Sequence, residues 1–247
     1  MRSTKKQQRS NSEMDNNGIN EAVQRLMAQV ESLPPDSPEN TKAASSSCGN
    51  NYDWLDSELS RVGIGKRFNR FKLNGMTWLS DEVMKSLRGY LYNIGQNVES
   101  GRGLVICGPY GVGKSAILAF VAMAILDYWK KNDLLGYRTA KYFTTYELCR
   151  ICARDDDQYY KLKKTSLLLI DDFGAEYSHD WPLSTLNAIV DQRYMNQMPT
   201  CFATNISSAR LANAGSDEFA RYGRIIDRMN QAEDFLILEI NAPSQRK

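Results

Sequence analysis

The residues with the clearest chemical meaning form the stretch 101–115, GRGLVICGPYGVGKS. Its second half, 108–115, matches the pattern G-x-x-x-x-G-K-[ST], whose glycines let backbone N–H groups point at a bound phosphate. An apolar strand before the pattern and an apolar helix after it are the required context, and an ordinary glycine-rich turn would not need a lysine and a serine after its last glycine. Lys114 would reach the β- and γ-phosphates. We therefore predict a nucleoside triphosphate site formed by Gly108, Pro109, Tyr110, Gly111, Val112, Gly113, Lys114, Ser115 and Ala116.

A second group of chemically meaningful residues follows the apolar run 166–170. Such a run is typical of a central strand in a parallel sheet, and open α/β sheets bind ligands at the carboxyl ends of their strands. Asp171 is placed to hold Mg²⁺ through water together with the Ser115 hydroxyl, and Asp172 to orient or activate the attacking water. Asn205 ends another apolar run, and it either contacts the γ-phosphate or the lytic water, or simply caps the next turn.

The elements that must position these residues are predicted from hydrophobic periodicity. Apolar runs and helical stripes alternate along the chain, which indicates a doubly wound α/β fold with a parallel sheet. Helix N-caps are predicted at Ser80 and at the Thr144–Glu147 capping box. The predicted strands are 104–107, 138–143, 166–172, 200–205 and 235–240, and the predicted helices are 52–62, 80–100, 116–129, 144–154, 180–196 and one beginning at 216.

Composition limits the class of protein. The chain has 247 residues, 42% of them hydrophobic, and a net charge of +2, so we expect one substantial core and no global basic field. Its 5 cysteines are an odd number, and Cys149 and Cys152 fall in a helical pattern, which favours buried thiols in a reducing compartment over a metal or redox site. The N-terminus lacks an apolar signal segment and the run 116–126 is too short to span a bilayer. We therefore expect a cytoplasmic protein without membrane contact.

The chain divides into two regions in this interpretation. Residues 1–51 contain a polar tail, an amphipathic helix at 20–33 and a linker rich in proline and serine, while residues 52–247 form the ATPase domain. The helix either folds back onto the core or docks on another protein, and the long linker favours a partner. The basic and aromatic segment 66–71 either contacts nucleic acid or packs its aromatic rings on the core, and we favour packing.

Four sequence blocks in this order and spacing resemble those of the AAA+ helicase loaders of the DnaC and DnaI type and of their relatives, the IstB transposition helper ATPases. The blocks are GPYGVGKS, LLLIDDFGAE, PTCFATNIS and YGRIIDRM, and the segment GIGKRF is similar to the lead-in of these proteins. The resemblance extends over 52–247. It implies an AAA+ P-loop ATPase core, a five-stranded parallel sheet flanked by helices, no C-terminal lid domain and a small helical N-terminal appendage.

The resemblance also implies roles for single residues. Residues 108–115 become the Walker A loop, Asp171 and Asp172 the Walker B pair, and Asn205 sensor 1. Arg228 aligns with the arginine finger and Arg224 with a helper arginine, which implies self-assembly, although both arginines would also suit a solvated helix face. There are two departures: Asp172 stands where many AAA+ proteins have glutamate, and the helical lid domain that usually follows the last strand is missing, as it is in the loaders. Arg246 resembles the sensor 2 arginine only loosely. Cys48 stands alone, so the N-terminal zinc site of some DnaI-type loaders is not expected.

The function that the resemblance implies is ATP- and Mg²⁺-dependent loading of the replicative hexameric DNA helicase onto single-stranded DNA. The helix at 20–33 would bind the helicase, and residues 158–164 and 179–181 would contact the DNA, although both could be ordinary surface loops. The alternative is an IstB-like helper that binds duplex DNA and recruits a transposase. A small-molecule kinase would need a lid and acceptor-binding residues that 241–247 cannot supply.

Overall fold

The computed structural model describes residues 53–68, 76–152, 154–174, 183–213 and 222–245. The predicted helix at 20–33, residues 179–181, the start of the helix predicted from 216 and Arg246 lie outside these ranges. The helices are α1 Asp53–Val62, α2 Asp81–Tyr92, α3 Ile94–Ser100, α4 Lys114–Lys131, α5 Thr145–Cys152, α6 Asp156–Lys164, α7 Leu183–Met195, α8 Ser208–Ala212 and α9 Gly223–Met229, with a 3-10 turn at Lys66–Phe68. The strands are β1 Gly103–Cys107, β2 Ala140–Thr144, β3 Leu167–Phe173, β4 Thr200–Thr204 and β5 Phe235–Glu239.

The strands form one sheet in the order β2-β3-β4-β1-β5, and every pair in it is parallel. The predicted five-stranded parallel sheet is therefore confirmed. β1, β3 and β4 are neighbours at its centre, and each carries a predicted site residue just beyond its carboxyl end or within its last residues. Because parallel strands end at the same edge of a sheet, this order brings the phosphate loop, the aspartate pair and Asn205 together.

Alternate residues of the strands are buried in two separate hydrophobic cores, one on each face of the sheet. Leu104 and Ile106 face a core that contains α4 and residues of α1, α2 and α3, whereas Val105 and Cys107 face one with residues of α5, α7 and α9. This alternation follows from the twofold side-chain period of a strand. α4 is apolar almost all round because it lies in the larger core, as its sequence predicts.

Several local predictions are confirmed at the level of single hydrogen bonds. The Ser80 hydroxyl accepts from the backbone N–H of Val83 at 3.3 Å. Thr144 and Glu147 bond reciprocally as a capping box, with Thr144 Oγ1 accepting from the Glu147 N–H at 3.2 Å and Glu147 Oε2 accepting from the Thr144 N–H at 3.0 Å. Cys149 and Cys152 are buried in α5, and burial, aided by Asp155, raises the pKa of the Cys152 thiol to about 11. These two cysteines are therefore core residues.

Two predictions of local structure were wrong. The predicted single helix 80–100 is interrupted at Asn93, whose side-chain amide donates to the Gly89 carbonyl at 3.0 Å. The break lets α3 lie close to α4, where a Cβ at Gly95 would be 2.3 Å from the Tyr128 ring. Residues 158–164, for which an ordinary surface loop was one expectation, instead lie in helix α6, which Asp155 caps by accepting from the Gln158 N–H at 3.0 Å.

A buried arginine ties together the amino-terminal edge of the sheet. The Arg193 guanidinium donates to the carbonyl of Thr165 at 2.6 Å, to that of Pro199 at 2.6 Å, to that of Leu162 at 2.9 Å and to the Thr200 hydroxyl at 3.0 Å. Burial lowers the pKa of Arg193 to about 9, so the group stays charged at neutral pH. It connects α6, the start of β3 and the start of β4.

The parts of the chain that the structure describes contain no helix long and apolar enough to cross a membrane. Within the same ranges there is also no group of three or more histidine, cysteine, aspartate or glutamate side chains that could hold a metal ion.

Candidate nucleotide site

The phosphate loop between β1 and α4 is fixed by close contacts on both sides. Gly108 and Gly113 have φ of 149° and 91°, values that side-chain-bearing residues rarely adopt. A Cβ at Gly108 would lie 2.5 Å from the Ile240 carbonyl oxygen, and one at Gly113 would lie 2.9 Å from the Trp78 ring. The glycines of the motif therefore allow the backbone conformation of the loop and its close packing, in addition to leaving its amides accessible to a phosphate.

Lys114 already points into the loop. Its side chain is buried, and Nζ donates to the carbonyl of Gly108 at 2.9 Å, to that of Pro109 at 2.8 Å and to Asn205 Oδ1 at 2.7 Å. The ammonium group is thus held at the mouth of the loop by oxygen acceptors. A phosphate oxygen is an acceptor of the same kind with more negative charge, so it can replace one of these partners.

Asn205, just after β4, has one side-chain polar atom with a hydrogen-bond partner and one without. Its Oδ1 accepts from Lys114, while its buried Nδ2 is one of the few buried side-chain nitrogens without a hydrogen-bond partner in the described residues. A buried amide donor without a partner costs about 1–3 kcal/mol, and a phosphate oxygen beside Lys114 would satisfy it. Of the two roles that the sequence left open for Asn205, this geometry fits the γ-phosphate contact.

The aspartate pair ends β3 at a local irregularity. The pairing of β3 with β4 shifts between Ile170 and Phe173, and Asp172 has a φ of 53°. At this irregularity the two neighbouring carboxylates have different surroundings: Asp171 is buried, whereas Asp172 is exposed at the cleft. Aspartate tolerates this left-handed conformation better than most residues. Asp172 can therefore face a nucleotide while Asp171 stays inside.

Asp171 is held by two donors. Oδ1 accepts from the backbone N–H of Asp172 at 2.9 Å, and Oδ2 accepts from the Tyr142 hydroxyl at 2.5 Å. Burial and then the charge of Asp171 raise the pKa of Tyr142 far above its usual range, while a side-chain hydrogen bond with Ser115 opposes the shift. The hydroxyl therefore keeps its proton as the donor. Sequence reasoning missed Tyr142 because its role depends on the register between β2 and β3.

A cleft of about 260 Å³ lies beside the phosphate loop. Its walls contain the loop residues Tyr110, Gly111, Gly113, Lys114, Ser115 and Ala116, with Asp172, Asn205, Arg67, Phe68, Trp78 and Gln245. The Trp78 indole donates to the Val112 carbonyl at 2.9 Å, and the Gln245 N–H donates to the Gly111 carbonyl at 2.8 Å. Arg67 and Phe68 belong to the segment that was predicted to pack on the core; Phe68 does so, and both also line this cleft.

The donor set fits a nucleoside triphosphate with Mg²⁺. The phosphate loop provides backbone amides and the Lys114 ammonium, and Asn205 provides a side-chain amide donor without a partner. Phe68 and Trp78 provide aromatic surface for a base. Ser115 and Asp171 supply the hard oxygen ligands that Mg²⁺ prefers. The structure thus brings together five of the predicted catalytic and metal-binding residues: Lys114, Ser115, Asp171, Asp172 and Asn205.

The predicted arginines occupy a different place. Arg228 Nε lies 3.5 Å from Asp191 Oδ1, without hydrogen-bond geometry, and its guanidinium stacks 4.5 Å from the centre of the Tyr194 ring. Arg224 is 79% exposed and lies 3.9 Å from the same carboxylate. Neither arginine is among the described residues that line the cleft. Tyr194 borders a hollow with Thr200 and Phe235, the first residues of β4 and β5, so Arg228, which stacks on Tyr194, lies towards the amino-terminal edge of the sheet.

The predicted DNA-contact segment 158–164 belongs to helix α6. The Lys163 ammonium lies 4.1 Å from the centre of the Tyr159 ring and 5.9 Å from that of Tyr160, and the Tyr160 side chain is 62% exposed. The helix thus presents an aromatic and basic surface next to solvent. The other predicted DNA-contact segment, 179–181, lies outside the described residues.

Comparisons with known proteins place this site in context. Over 136 residues, 52% of the chain, it is 24% identical to the replicative helicase loader DnaI of Bacillus subtilis. Over 106 residues, 40% of the chain, it is 32% identical to a putative insertion sequence ATP-binding protein of Sinorhizobium fredii. The chain matches less than half the length of these curated relatives, 43% and 40% respectively. No protein-family model matches it.

Solved structures share the architecture. A crystal structure of DnaI superposes with a TM-score of 0.55 at 22% identity, over 74% of this chain and 94% of that one. A crystal structure of the DnaC helicase loader gives a TM-score of 0.55 at 23% identity, over 72% of this chain and 100% of that one. The predicted resemblance to the DnaC and DnaI type is therefore confirmed. The chain has the fold of an AAA+ P-loop ATPase.

Proposed function

We propose that this chain is an ATPase that loads the replicative DNA helicase onto single-stranded DNA in the cytoplasm. The observation that carries the ATPase activity is the convergence of Lys114, Asp172 and Asn205 on one cleft, with Asp171 buried directly beside Asp172. The similarity to DnaI and DnaC, which covers nearly the whole of those loader structures, supports the choice of helicase loading.

Each residue of the cleft has a defined task in this proposal. The loop amides and Lys114 bind the phosphates, and Asn205 donates to the terminal phosphate through Nδ2. Ser115 and Asp171 hold Mg²⁺, which neutralises phosphate charge when bound. The Asp172 carboxylate accepts a proton from the attacking water or orients that water, and its exposure at the cleft suits this task.

Nucleotide binding is tested by removing the lysine. Lys114→Ala should abolish detectable ATP binding, since it deletes the buried cation of the loop. Lys131→Ala is the matched control, because Lys131 lies in the last turn of the same helix, at its surface, where it pairs with Asp127. Tight ATP binding by Lys114→Ala would refute the site.

We further propose that the chain assembles with copies of itself and that Arg228, helped by Arg224, completes the nucleotide site of a neighbour. Arg228 stacks on Tyr194, which borders the first residues of β4 and β5, and neither arginine is among the described residues that line the cleft of its own chain. This supports a role at the site of another subunit. Arg228→Ala should leave ATP affinity intact and lose about 10³-fold or more of DNA-stimulated turnover. Turnover equal to that of the parent would show that the finger is elsewhere.

The proposed contact with the helicase is the amphipathic helix at 20–33, and that with single-stranded DNA is α6, where Tyr160 and Lys163 combine a base-stacking surface with positive charge. The decisive experiment is light scattering after size exclusion of the chain mixed with the replicative helicase of its own cell. Leu26→Glu on the apolar face should abolish co-elution, whereas Gln29→Glu on the polar face should not.

A second candidate function rests on the relative from Sinorhizobium fredii, whose identity of 32% exceeds that to DnaI. In this alternative the same fold binds duplex DNA with ATP and recruits a transposase. Failure of the parent chain to bind the helicase, together with ATP-dependent binding of duplex DNA, would favour it over loading.

A further inference from the structure

Tyr142 occupies a position from which the sheet itself aims its side chain at the nucleotide site. The register pairs Tyr142 with Leu169 and Thr144 with Asp171. Since side chains alternate along a strand, Tyr142, Leu169 and Asp171 share one face of the sheet, the face covered by α4. Tyr142 is thus a diagonal neighbour of Asp171, and its hydroxyl donates to Asp171 Oδ2.

The same hydroxyl reaches the carboxylate that the proposed function assigns to Mg²⁺. It donates to Asp171 Oδ2 at 2.5 Å. The other oxygen of Asp171 accepts from the Asp172 N–H. With one donor on each oxygen, the carboxylate has a single fixed orientation.

The support behind the Tyr142 hydroxyl is rigid. The ring packs half-buried against the larger core. β2 is tied to α1 at two places: the Lys141 ammonium donates to the Arg61 carbonyl at 2.7 Å, and a Cβ at Gly63 would lie 2.8 Å from the Tyr142 carbonyl oxygen. The hydroxyl therefore belongs to the folded framework of the domain rather than to a loop that could move away.

The core does not require this hydroxyl. A phenylalanine would fill the same space, but it would leave a buried carboxylate oxygen without its donor. We propose, on the basis of the proposed ATPase function, that Tyr142 is a positioning residue of the Mg²⁺ site: it orients Asp171 for the metal. Groups that orient metal ligands in this way typically change metal affinity by about 10–100-fold when they are removed.

The experiment measures the affinity of the full chain for a fluorescent N-methylanthraniloyl ATP, with excess EDTA and across a Mg²⁺ titration, without any need for turnover. Tyr142→Phe should raise the Mg²⁺ concentration that gives half of the affinity gain by about 10-fold, with little change in EDTA. Tyr137→Phe, at an 85% exposed tyrosine, is the matched control and should behave like the parent. Thermal melts establish that each variant is folded.

A second variant separates positioning from a general effect on the fold. Asp171→Asn should lose most of the Mg²⁺ gain, and adding Tyr142→Phe to it should change little more, because the two residues act through one interaction. An unchanged or lower Mg²⁺ requirement in Tyr142→Phe, or additive losses in the double variant, would overturn the inference. If the parent itself binds no nucleotide, the ATPase proposal fails instead.

Discussion

Asn205→Asp is the substitution for which the structure predicts opposite effects on folding and on binding. The change is isosteric and keeps the oxygen that accepts from Lys114 at 2.7 Å. It replaces Nδ2, the buried donor without a partner, by a second negatively charged oxygen. Without nucleotide the new carboxylate forms an ion pair with Lys114, so the unfolding midpoint should hold or rise. With nucleotide the carboxylate faces the phosphate that Lys114 binds.

The expected loss of affinity follows from the distances in the site. A phosphate oxygen within hydrogen-bonding range of Lys114 lies roughly 4 Å from the new charge, and two like charges at that separation repel by about 4 kcal/mol at an effective dielectric constant of 20. This energy corresponds to a rise of about 10³-fold in the ATP dissociation constant.

Calorimetric titration with ATP and Mg²⁺ measures the affinity, and thermal melts of the same samples measure stability. Asn132→Asp is the control, since Asn132 caps the far end of α4, about 27 Å from Lys114 by helix rise and well beyond the screening length at physiological salt. It adds the same charge and should keep the affinity of the parent. ATP binding by Asn205→Asp within about threefold of the parent would refute the assigned role of Nδ2.

Three further predictions concern other parts of the domain. Arg193→Met should lower the free energy of unfolding in urea by about 3–5 kcal/mol, because it leaves buried acceptors at the sheet edge without donors, whereas Arg150→Met on exposed α5 surface should change it by less than about 0.5 kcal/mol; similar values for both would exclude the anchor role. Ser80→Ala should cost about 1 kcal/mol in the same assay through loss of the α2 N-cap, and no loss would show that the cap contributes nothing. Asp172→Asn should keep ATP affinity and lower turnover by about 10²–10⁴-fold, and unchanged turnover would remove Asp172 from the chemistry.

The parts of the site that depend on local sequence were predictable. The loop and the aspartates follow directly on apolar strands, and a parallel sheet sends such chain segments to one edge. Two roles were left open for Asn205, because the sequence predicts its position at the end of a strand but not which residue it contacts. The structure adds the Lys114 contact, which joins residues from β4 and the phosphate loop.

The parts that depend on register or tertiary packing were not predictable. Tyr142 looks like any aromatic residue of a strand until the pairing of β2 with β3 places it beside Asp171. Arg193 looks like a solvated residue near the end of a helix, yet it is fully buried, because carbonyls from three separate segments converge on it. The break at Asn93 was not predictable either, since it allows a contact between Gly95 and Tyr128, which are distant in sequence.

The position of β1 in the sheet has a consequence for the order in which the domain folds. β1 pairs with β4 and β5, whose residues come about 100 and about 130 positions later in the chain, so the strand that carries the phosphate loop has no sheet partner close to it in sequence. Such non-local pairing is slow, because the loop-closure entropy is lost before the contacts form. Gly108 also rests against Ile240, the residue after β5. We therefore expect the phosphate loop to acquire its shape only after β4 and β5 have paired with β1, so that ATP binding would report on completion of these two pairings.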